Sequence, residues 1–482
     1  MESSLFPYLH AVVLCGQEGR ELWPLTRLNS PRETLVLPDE EECLLWSMIR
    51  VLKNYVERPM TFMCPSAAAD QIEKSIQASG LLKKGEYEIL VEPYPRGTAF
   101  SVALAAAMLK RRNPDSYMVI APSHIELQTE DRWEQALSRA YRVAAEDRVA
   151  IIGVDSQDSN SPHSFIRPAG SIRGIVGARE LSSYYHKPLP PQAKRYTSIG
   201  LLWSTGIMVV RASTALAKLV YVAKHSSSPD SQDLDRIAET ASFISSIDQG
   251  RWHSKDAEKL IESLPVKSFE EAVLEGAGDS AVIPTGMGLS TVTSLKSIDD
   301  FIESDESGNR IMGRGFAIDS ENTTVYDDDR LTVTLGCEDL LVVNTRDSVL
   351  VASKEALDSL DEVVPSLVEA GAREVATSSV TQHSWGTGTL IYSGKHTRVK
   401  LVTMRSGHST GNYSRKSVSE SWTVLEGTAT FEDSRGTLNL KAGQQISYKP
   451  GIPHELGNHG KRSIELICIE SGASGVADDY LV

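Results

Sequence analysis

A glycine-bearing loop near the start of the chain has the residue types that bind phosphate. The stretch from Leu14 to Leu37 reads LCGQEGRELWPLTRLNSPRETLVL and follows the apolar run AVV. A strand that breaks into such a loop places backbone N–H groups around a phosphate in many α/β proteins. Gly16 and Gly19 therefore mark the first candidate ligand site. A second interpretation stays open at this point, because glycines also serve tight turns that bind nothing.

Composition limits the functions that the chain can have. Its 482 residues suffice for about three domains. The net charge of −15 argues against a surface for nucleic acid or for an anionic membrane. Five cysteines lie far apart without a CxxC pair, which favours neither disulfides nor a cysteine zinc site. Without a predicted signal peptide or membrane span, we expect a cytoplasmic protein.

The elements that position the loop follow an α/β pattern. Strand-like runs alternate with helical patterns over about the first 220 residues, which predicts a mostly parallel sheet. The predicted strand Tyr117 to Ile120 ends at Pro122-Ser123-His124, and ligands of open α/β sheets gather at such ends. Short β-branched runs between residues 309 and 353 predict a β-roll or β-helix appendage. A helix, a polar linker over Thr377 to Gln382 and a series of strands complete the chain.

Several segments resemble one bacterial enzyme family. LWPLTR and PRETLVL resemble the opening of the mannose-1-phosphate guanylyltransferases, which reads GGxGTRLWPLSR and then PKQFL. The segments EPYPRGTA, APSH, HKP, LLWSTGIM and GLSTVTSL follow in the family's order. SESWTVLEGTATF and KPGIPHELGN are similar to the phosphomannose isomerase cupin that ends the bifunctional members. By resemblance over nearly its whole length, the chain is identified as a diverged member.

The resemblance implies a fold and a set of domain boundaries. We expect a Rossmann-like α/β nucleotidyltransferase domain over residues 1–300. A short β-helix-like appendage with one helix follows at 301–372, and then a linker at 373–385. Residues 386–482 should form an all-β cupin, or jelly roll.

The positions that the family uses for catalysis carry other residues here. Nucleotidyl transfer from GTP to mannose 1-phosphate needs magnesium held by carboxylates and basic groups on the phosphates. Glu21 stands where the family has the arginine before LWP, and Ser123 and Thr291 stand where it has aspartates. We therefore assign no catalytic residue. Glu126 is a weaker candidate for a substitute metal ligand.

Other family positions are retained and should bind rather than catalyse. The candidates for nucleotide or phosphate binding are Gly16, Gly19, Arg20, Arg32, Arg96 and Thr98. Lys187 and Gly206 are the candidates for the sugar phosphate, although His186 and Ser204 replace their family neighbours. The alternative for each residue is a role in supporting the fold.

The cupin segment has lost most of its metal ligands. Isomerase members read QMHHHRAEHW where this chain reads YSRKSVSESW, so only Glu420 and His454 remain as possible ligands. Arg415 and Lys416 occupy the histidine run and would oppose a cation. We expect no bound metal and a structural role for His454. A pocket that binds an anion and is lined by Arg415 and Lys416 is a further hypothesis.

These observations lead to one predicted function and two alternatives. The chain is predicted to be non-catalytic, to bind a sugar nucleotide, a sugar phosphate or an active paralogue, and to regulate or scaffold GDP-mannose and polysaccharide precursor synthesis. The enzymatic alternative is an active mannose-1-phosphate guanylyltransferase with substituted metal ligands and magnesium. The other is an interaction module whose cupin dimerises. We expect a homo-oligomer. We assign no cofactor, and we expect neither nucleic acid nor a membrane as a partner.

Overall fold

The computed structural model describes residues 5–16, 19–27, 30–36, 42–127, 132–156, 163–226, 231–276, 279–292, 294–327, 330–383, 385–472 and 480–481. The chain divides into two compact units. The first comprises Met1–Ile72 and Leu81–Ala376, and the second comprises Glu73–Gly80 and Thr377–Val482. The nucleotidyltransferase-like region and the β-helix region therefore belong to one unit.

A nine-stranded sheet forms the centre of the first unit. Its order is β3-β2-β1-β4-β9-β6-β10-β8-β7, and β9 runs antiparallel between the parallel strands β4 and β6. A two-stranded ribbon of β5 and β11 stands beside it. The strands are β1 (Leu9–Leu14), β2 (Glu57–Pro65), β3 (Tyr87–Glu92), β4 (Tyr117–Pro122), β5 (Ile125–Leu127), β6 (Val149–Asp155), β7 (Phe165–Ser171), β8 (Arg179–Tyr185), β9 (Leu202–Arg211), β10 (Ser280–Thr285) and β11 (Leu289–Thr291).

Several α-helices connect or cover these strands. They are α1 (Leu44–Leu52), α2 (Ser66–Ser79), α3 (Thr98–Arg112), α4 (Trp133–Ala145), α5 (Pro190–Ser198), α6 (Ala212–His225), α7 (Leu234–Ser246), α8 (Lys255–Glu262) and α9 (Phe269–Gly276). Helix α3 is alanine-rich and buried over Ala99–Ala107, and it shares one apolar core with residues of α6, α7 and α9. Small side chains allow this close packing from several sides.

A β-helix completes the first unit. Its strands are β12 (Arg310–Met312), β13 (Gly315–Ile318), β14 (Thr324–Asp327), β15 (Thr332–Leu335), β16 (Leu340–Asn344) and β17 (Val349–Ser353), followed by α10 (Leu360–Glu369). β12, β14 and β16 pair in parallel, as do β13 and β15, which is the pattern of stacked coils. The predicted β-helix-like appendage is confirmed.

Arg27 ties the glycine loop to the β-helix. Its buried guanidinium lies 2.8 Å from the carboxylate of Asp347 and donates to the carbonyl of Pro24. Leu22, from the same loop, packs into a core cluster with Leu341 and Val343 of β16. A buried ion pair and apolar packing thus fix the outer end of the loop.

Residues 377–482 of the second unit form an all-β barrel of the cupin type, as predicted. Its strands are β18 (Val380–His383), β19 (Gly386–Ser393), β20 (Thr397–Met404), β21 (Ser414–Arg415), β22 (Val418–Glu426), β23 (Thr428–Asp433), β24 (Gly436–Lys441), β25 (Gln445–Tyr448), β26 (His454–Gly457), β27 (Ile464–Gly472) and β28 (Tyr480–Leu481). One sheet has the order β18-β19-β20-β27-β22-β25, and another has β24-β23-β26. Trp422, Phe431 and Leu466 belong to the core between them.

The structure differs from the sequence predictions in two places. The segment predicted as a linker, 373–385, contains β18, whose residues pair with β19. Its polar sequence suits an edge strand, where solvent reaches part of the backbone and side chains. Helices α4, α5, α7, α8 and α9 were not predicted individually. Among the described residues, no helix is both long and apolar enough to cross a membrane.

We expect that Asp347→Ala destabilises the first unit by about 3 kcal/mol, because it leaves the Arg27 charge buried without its counter-ion. Chemical denaturation followed by tryptophan fluorescence measures this effect. Asp358→Ala is the matched control, since that carboxylate pairs with Lys296 at the surface and is 80% exposed. Equal losses in the two variants would contradict the anchoring role of Arg27.

Candidate functional site

The candidate site lies along one edge of the central sheet. β1 ends at Leu14 and β4 ends at Pro122, and these two strands run parallel. β9 runs the other way, so its first residue, Leu202, pairs with Asp155 at the end of β6. The loops after β1 and β4 and the start of β9 therefore share an edge, which is where α/β sheets bind ligands.

Both predicted glycines are required by the backbone of the loop. Gly16 has φ +77°, and a Cβ at this position would overlap the ring of Pro65. Gly19 has a left-handed conformation and precedes a short 3₁₀ turn, Arg20–Leu22. These constraints satisfy the tight-turn interpretation, while phosphate binding by the loop stays a prediction. Gln17 lies outside the described residues.

The N–H of Gly16 already has an anionic partner. It donates to the carboxylate of Glu33, a side chain that is completely buried. Burial raises the pKa of Glu33, and the hydrogen bond from Gly16 opposes that rise. The same carboxylate helps burial to raise the pKa of the neighbouring Cys15 thiol. An internal carboxylate therefore occupies a donor that a phosphate would need.

Arg32 and Glu21 face each other at the next turn. The Arg32 side chain is 7% exposed, and its Nη2 lies 3.8 Å from a carboxylate oxygen of Glu21. Its Nε has no hydrogen-bond partner in the part of the chain that the structure describes. Arg20 is partly exposed at the start of the 3₁₀ turn. The acidic residue at the family's arginine position thus lies against a retained cation.

The two positions at which the family holds its metal come close together. The backbone of Thr291 pairs with Ile125, two residues after Ser123. The buried hydroxyl of Ser123 donates to the carbonyl oxygen of Leu14 over 2.8 Å. This hydroxyl does not fit a magnesium ligand, since it is neutral and already donates a hydrogen bond to Leu14. The side chains of Thr291 and Glu126 lie outside the described part of the structure.

Arg32 and Lys187 approach the same histidine. The pKa of His124 lies well below its ordinary value because of burial, then the charge of Arg32, then that of Lys187. His163 stacks on Trp203 with ring centroids 4.0 Å apart. Burial and then Lys187 lower the pKa of His163 to about 4. Both imidazoles are therefore neutral at pH 7, and the charges of Arg32 and Lys187 act on this part of the sheet edge.

Gly206 lies in the middle of β9, beside Pro122 at the end of β4. It has φ +72°, a Cβ there would come within 3.3 Å of Pro122, and its N–H donates to the hydroxyl of Ser204 over 3.1 Å. Its backbone conformation accounts for the glycine, and a role in binding the sugar phosphate stays a prediction. Lys187 is exposed, with φ +30°.

Two carboxylates that the sequence analysis missed reach this half of the cleft from α9. The hydroxyl of Ser204 donates to Glu270, and Nε2 of His186 lies 3.6 Å from a carboxylate oxygen of Glu271. Burial raises the pKa of Glu270, and hydrogen bonds from Ser204 and Tyr184 oppose this. The sequence FEEAVLEG carries a signal for the element, namely apolar residues at helical spacing after an acidic first turn.

Arg96 and Thr98 have structural partners in the described residues. Nε of Arg96 donates to the carbonyl of Ile261 over 3.1 Å. The hydroxyl of Thr98 accepts from the N–H of Phe269 over 2.9 Å. These hydrogen bonds attach the start of α3 and the residues before it to α8 and α9. Nucleotide binding by Arg96 and Thr98 stays a prediction.

Inside the cupin barrel, charged side chains pair with one another. Glu470 is buried and accepts from Lys400 over 2.8 Å, and its carboxylate lies 3.2 Å from the guanidinium of Arg415. Nε2 of the buried His454 lies 3.2 Å from Glu420. Both residues that remain from the metal site therefore contact each other.

One prediction about the barrel is wrong. Arg415 is 2% exposed, whereas the adjacent Lys416 is exposed, so the two do not line a common pocket. β21 ends at Arg415, and Lys416 lies in the exposed bend that leads to β22. The positive charge of Arg415 is moreover balanced by Glu470.

The barrel residues do not fit a divalent metal. Ligand atoms of Glu420, Cys468 and Glu470 lie within 4.8 Å of one another, which is close enough to bind one metal ion. The ammonium of Lys400 and the guanidinium of Arg415 contact the same Glu470 carboxylate. These two positive charges would repel a metal cation bound to the same carboxylate.

Comparisons with known families match all three regions of the chain. Residues 10–247 match the Nucleotidyl transferase family. Residues 313–367 match the MannoseP isomerase/GMP-like beta-helix domain, and residues 370–482 match the Mannose-6-phosphate isomerase C-terminal family.

Curated relatives extend over nearly the whole chain. The alginate biosynthesis protein AlgA of Pseudomonas aeruginosa is 27% identical over 97% of this chain and 95% of its own length. The mannose-1-phosphate guanylyltransferase of Escherichia coli K12 is 28% identical over 100% of this chain and 98% of its own. The xanthan biosynthesis protein XanB of Xanthomonas campestris is 28% identical over 98% of this chain and 97% of its own.

A solved structure agrees with the fold of the first unit. The mannose-1-phosphate geranyltransferase from Thermus thermophilus has a TM-score of 0.62 and 21% identity, covering 75% of this chain and 99% of that chain. This likeness concerns the fold, and the family matches and full-length relatives identify the family. The chain belongs, as a diverged member, to the family of mannose-1-phosphate guanylyltransferases with a C-terminal mannose-6-phosphate isomerase domain.

Proposed function

We propose that this chain is a non-catalytic member of its family that binds a sugar phosphate or sugar nucleotide of the GDP-mannose class. In this role it regulates or scaffolds the synthesis of polysaccharide precursors, with an active paralogue as its candidate partner. The observation that carries the proposal is the buried Glu33 carboxylate on the N–H of Gly16. This contact puts negative charge where guanylyl transfer needs to gather phosphates.

Electrostatics at the loop support the loss of catalysis. Glu33 and Glu21 bring two acidic groups to the phosphate loop, and Glu21 lies beside the retained Arg32. A negative charge near a triphosphate costs several kcal/mol when it is desolvated, because the local dielectric is low. The Ser123 hydroxyl is engaged with Leu14 and brings no charge to hold magnesium.

Electrostatics farther along the cleft support ligand binding. The charges of Arg32 and Lys187 both lower the pKa of His124, after burial, so we propose that both cations serve one anionic ligand at the sheet edge. The lowered pKa of His163, about 4, keeps that ring neutral at pH 7. A cleft with two fixed positive charges suits a phosphate or diphosphate group.

The barrel is part of the same proposal. Arg415 and Lys400 neutralise the interior acidic group Glu470, so we propose that the barrel is a metal-free structural domain without isomerase activity. Relatives of this chain are named for alginate and xanthan biosynthesis, which supports a role beside polysaccharide precursor synthesis.

Two measurements on one preparation distinguish ligand binding from catalytic turnover. With GTP, mannose 1-phosphate and magnesium, we expect no pyrophosphate release above background. Calorimetric titration with GDP-mannose should give a saturable binding heat. Lys187→Met should weaken this binding about 10- to 100-fold, the effect of losing one charge-assisted contact.

Lys194→Met, at an exposed position in α5, is the matched control and should bind as the unchanged chain does. Pyrophosphate release that chelation abolishes would overturn the non-catalytic assignment. Equal binding by both lysine variants would instead remove Lys187 from the site.

Glu33→Gln tests the internal carboxylate. The amide keeps an acceptor for the N–H of Gly16 but carries no charge, so affinity for GTP should rise several-fold at pH 8. The raised pKa of Glu33 means that the carboxyl is charged above that pKa and neutral below it. The difference between the two proteins should therefore shrink as the pH falls from 8 towards 5, which titrations across this range measure. A difference independent of pH would contradict the electrostatic explanation.

The barrel prediction concerns metal and stability. EDTA should leave the thermal midpoint unchanged, and purified protein should contain only trace metal by elemental analysis. Arg415→Met should lower the free energy of unfolding by about 3 kcal/mol, the lower end for a broken buried pair, because Lys400 still neutralises Glu470. Arg462→Met, at an exposed position before β27, is the control and should leave unfolding unchanged. A large loss of stability with EDTA would overturn the metal-free assignment.

A further inference from the structure

A cavity of about 300 Å³ lies between helix α4 and the end of strand β10. We call it the α4 cavity. Its polar lining consists of Arg132, Gln135 and Arg139 from the start of the helix, and of Thr285 and Gly286 from the strand end. The three helix residues are spaced by three and four positions, which places them on one side of α4. The volume is at the lower end of the range for pockets that bind small molecules.

The α4 cavity is separate from the cleft of the proposed function. β8 runs antiparallel to β10, and its first residue, Arg179, pairs with Val282. The seven residues of β8 span about 20 Å and end at Tyr185, shortly before Lys187. Thr285 lies farther along β10, in the direction away from Lys187. A ligand in the α4 cavity would therefore not contact the Lys187 end of the cleft.

The two arginines of this cavity lack a counter-ion. Among the residues that the structure describes, neither guanidinium has an ion pair or a hydrogen bond. Arg142, one turn farther along α4, differs because it donates to the carbonyl of Gly174 over 2.7 Å. Acidic partners are not scarce, since the chain has 64 acidic and 49 basic side chains. Two like charges on one cavity repel each other, and a bound anion would relieve that repulsion.

Glycines allow both guanidinium groups to lie against the backbone. A Cβ at Gly286 would overlap Nη1 of Arg132, and a Cβ at Gly177 would lie 2.8 Å from Cζ of Arg139. The hydroxyl of Thr285 accepts from the N–H of the residue two positions later over 3.3 Å, which leaves its own proton for another acceptor. The cavity thus offers two charged donors and a neutral one.

We infer that the α4 cavity binds a diphosphate group through the guanidiniums of Arg132 and Arg139, with Gln135 and Thr285 as neutral donors. The two arginines are two helical turns apart, so their Cα atoms are separated by about 10 Å along the helix. Each guanidinium can bind one phosphate as a two-pronged donor. Two such groups on one cavity therefore suit two linked phosphates better than a single one. The inference does not rest on the proposed function, since it concerns other residues.

Calorimetric titration of the full chain with inorganic pyrophosphate tests the inference. Every protein in the series carries Lys187→Met, so that the cleft contributes little to the binding heat. Adding Arg132→Met or Arg139→Met should weaken pyrophosphate binding about tenfold, the effect of losing a hydrogen bond to a charged group. Arg195→Met is the matched control and should change nothing, because it lies in α5, which has no buried residue. Arg132 is exposed, so its replacement keeps the test valid even where Arg139→Met fails to fold.

Hydrogen exchange locates the bound ligand independently of its affinity. Pyrophosphate should slow amide exchange in peptides from the start of α4 and from the end of β10, and this protection should be lost in Arg132→Met. Protection confined to other segments would overturn the inference. Equal affinities of the three arginine variants, or no binding of pyrophosphate at all, would also overturn it. The proposed function would stand in each case, since binding of GDP-mannose tests it separately.

Titration with GDP distinguishes a free diphosphate from one that is part of a nucleotide. Where Arg132→Met and Arg139→Met weaken the binding of GDP and of pyrophosphate equally, the cavity takes a nucleoside diphosphate. Where they weaken only the binding of pyrophosphate, it takes the free anion. Both results support a diphosphate site at α4.

Discussion

The hydrogen bond from the N–H of Gly16 to the buried Glu33 carboxylate is the interaction on which the charge of the sheet edge depends. Gly16 has φ +77° and a Cβ there would overlap the ring of Pro65, so this turn requires glycine. The Glu33 carboxylate is an acceptor for the same N–H that a phosphate would use. The retained Arg32 lies beside an acidic residue as well.

Moving along the edge, the balance of charge changes. Lys187 and Arg32 act on a neutral His124, and farther on Glu270 and Glu271 approach from α9. These groups come from separate parts of the chain, with Glu270 and Glu271 together on α9, so their arrangement depends on tertiary packing.

The barrel shows the same kind of internal compensation. Arg415 and Lys400 supply, from the chain itself, the positive charge that neutralises Glu470. Because these two cations are side chains of the protein, they cannot dissociate. Glu470 therefore keeps its counter-charges whether or not metal ions are present. In both units, then, an internal charge of the chain satisfies a site where its family uses a bound ion or ligand.

The sequence by itself determined the family, the α/β sheet, the β-helix and the barrel, because periodic apolar patterns and motif order survive divergence. Through the resemblance it also assigned Ser123 and Thr291 to two aspartate positions of the family, and the β5 and β11 pairing brings their backbones close. Glu33, Glu270 and Glu271 could not be assigned from sequence, because an acidic residue in a turn or a first helical turn is ordinary at any surface. Only the tertiary structure decided that these carboxylates face the loop and the cleft, since long-range packing sets which of many charged side chains are desolvated and against which partner.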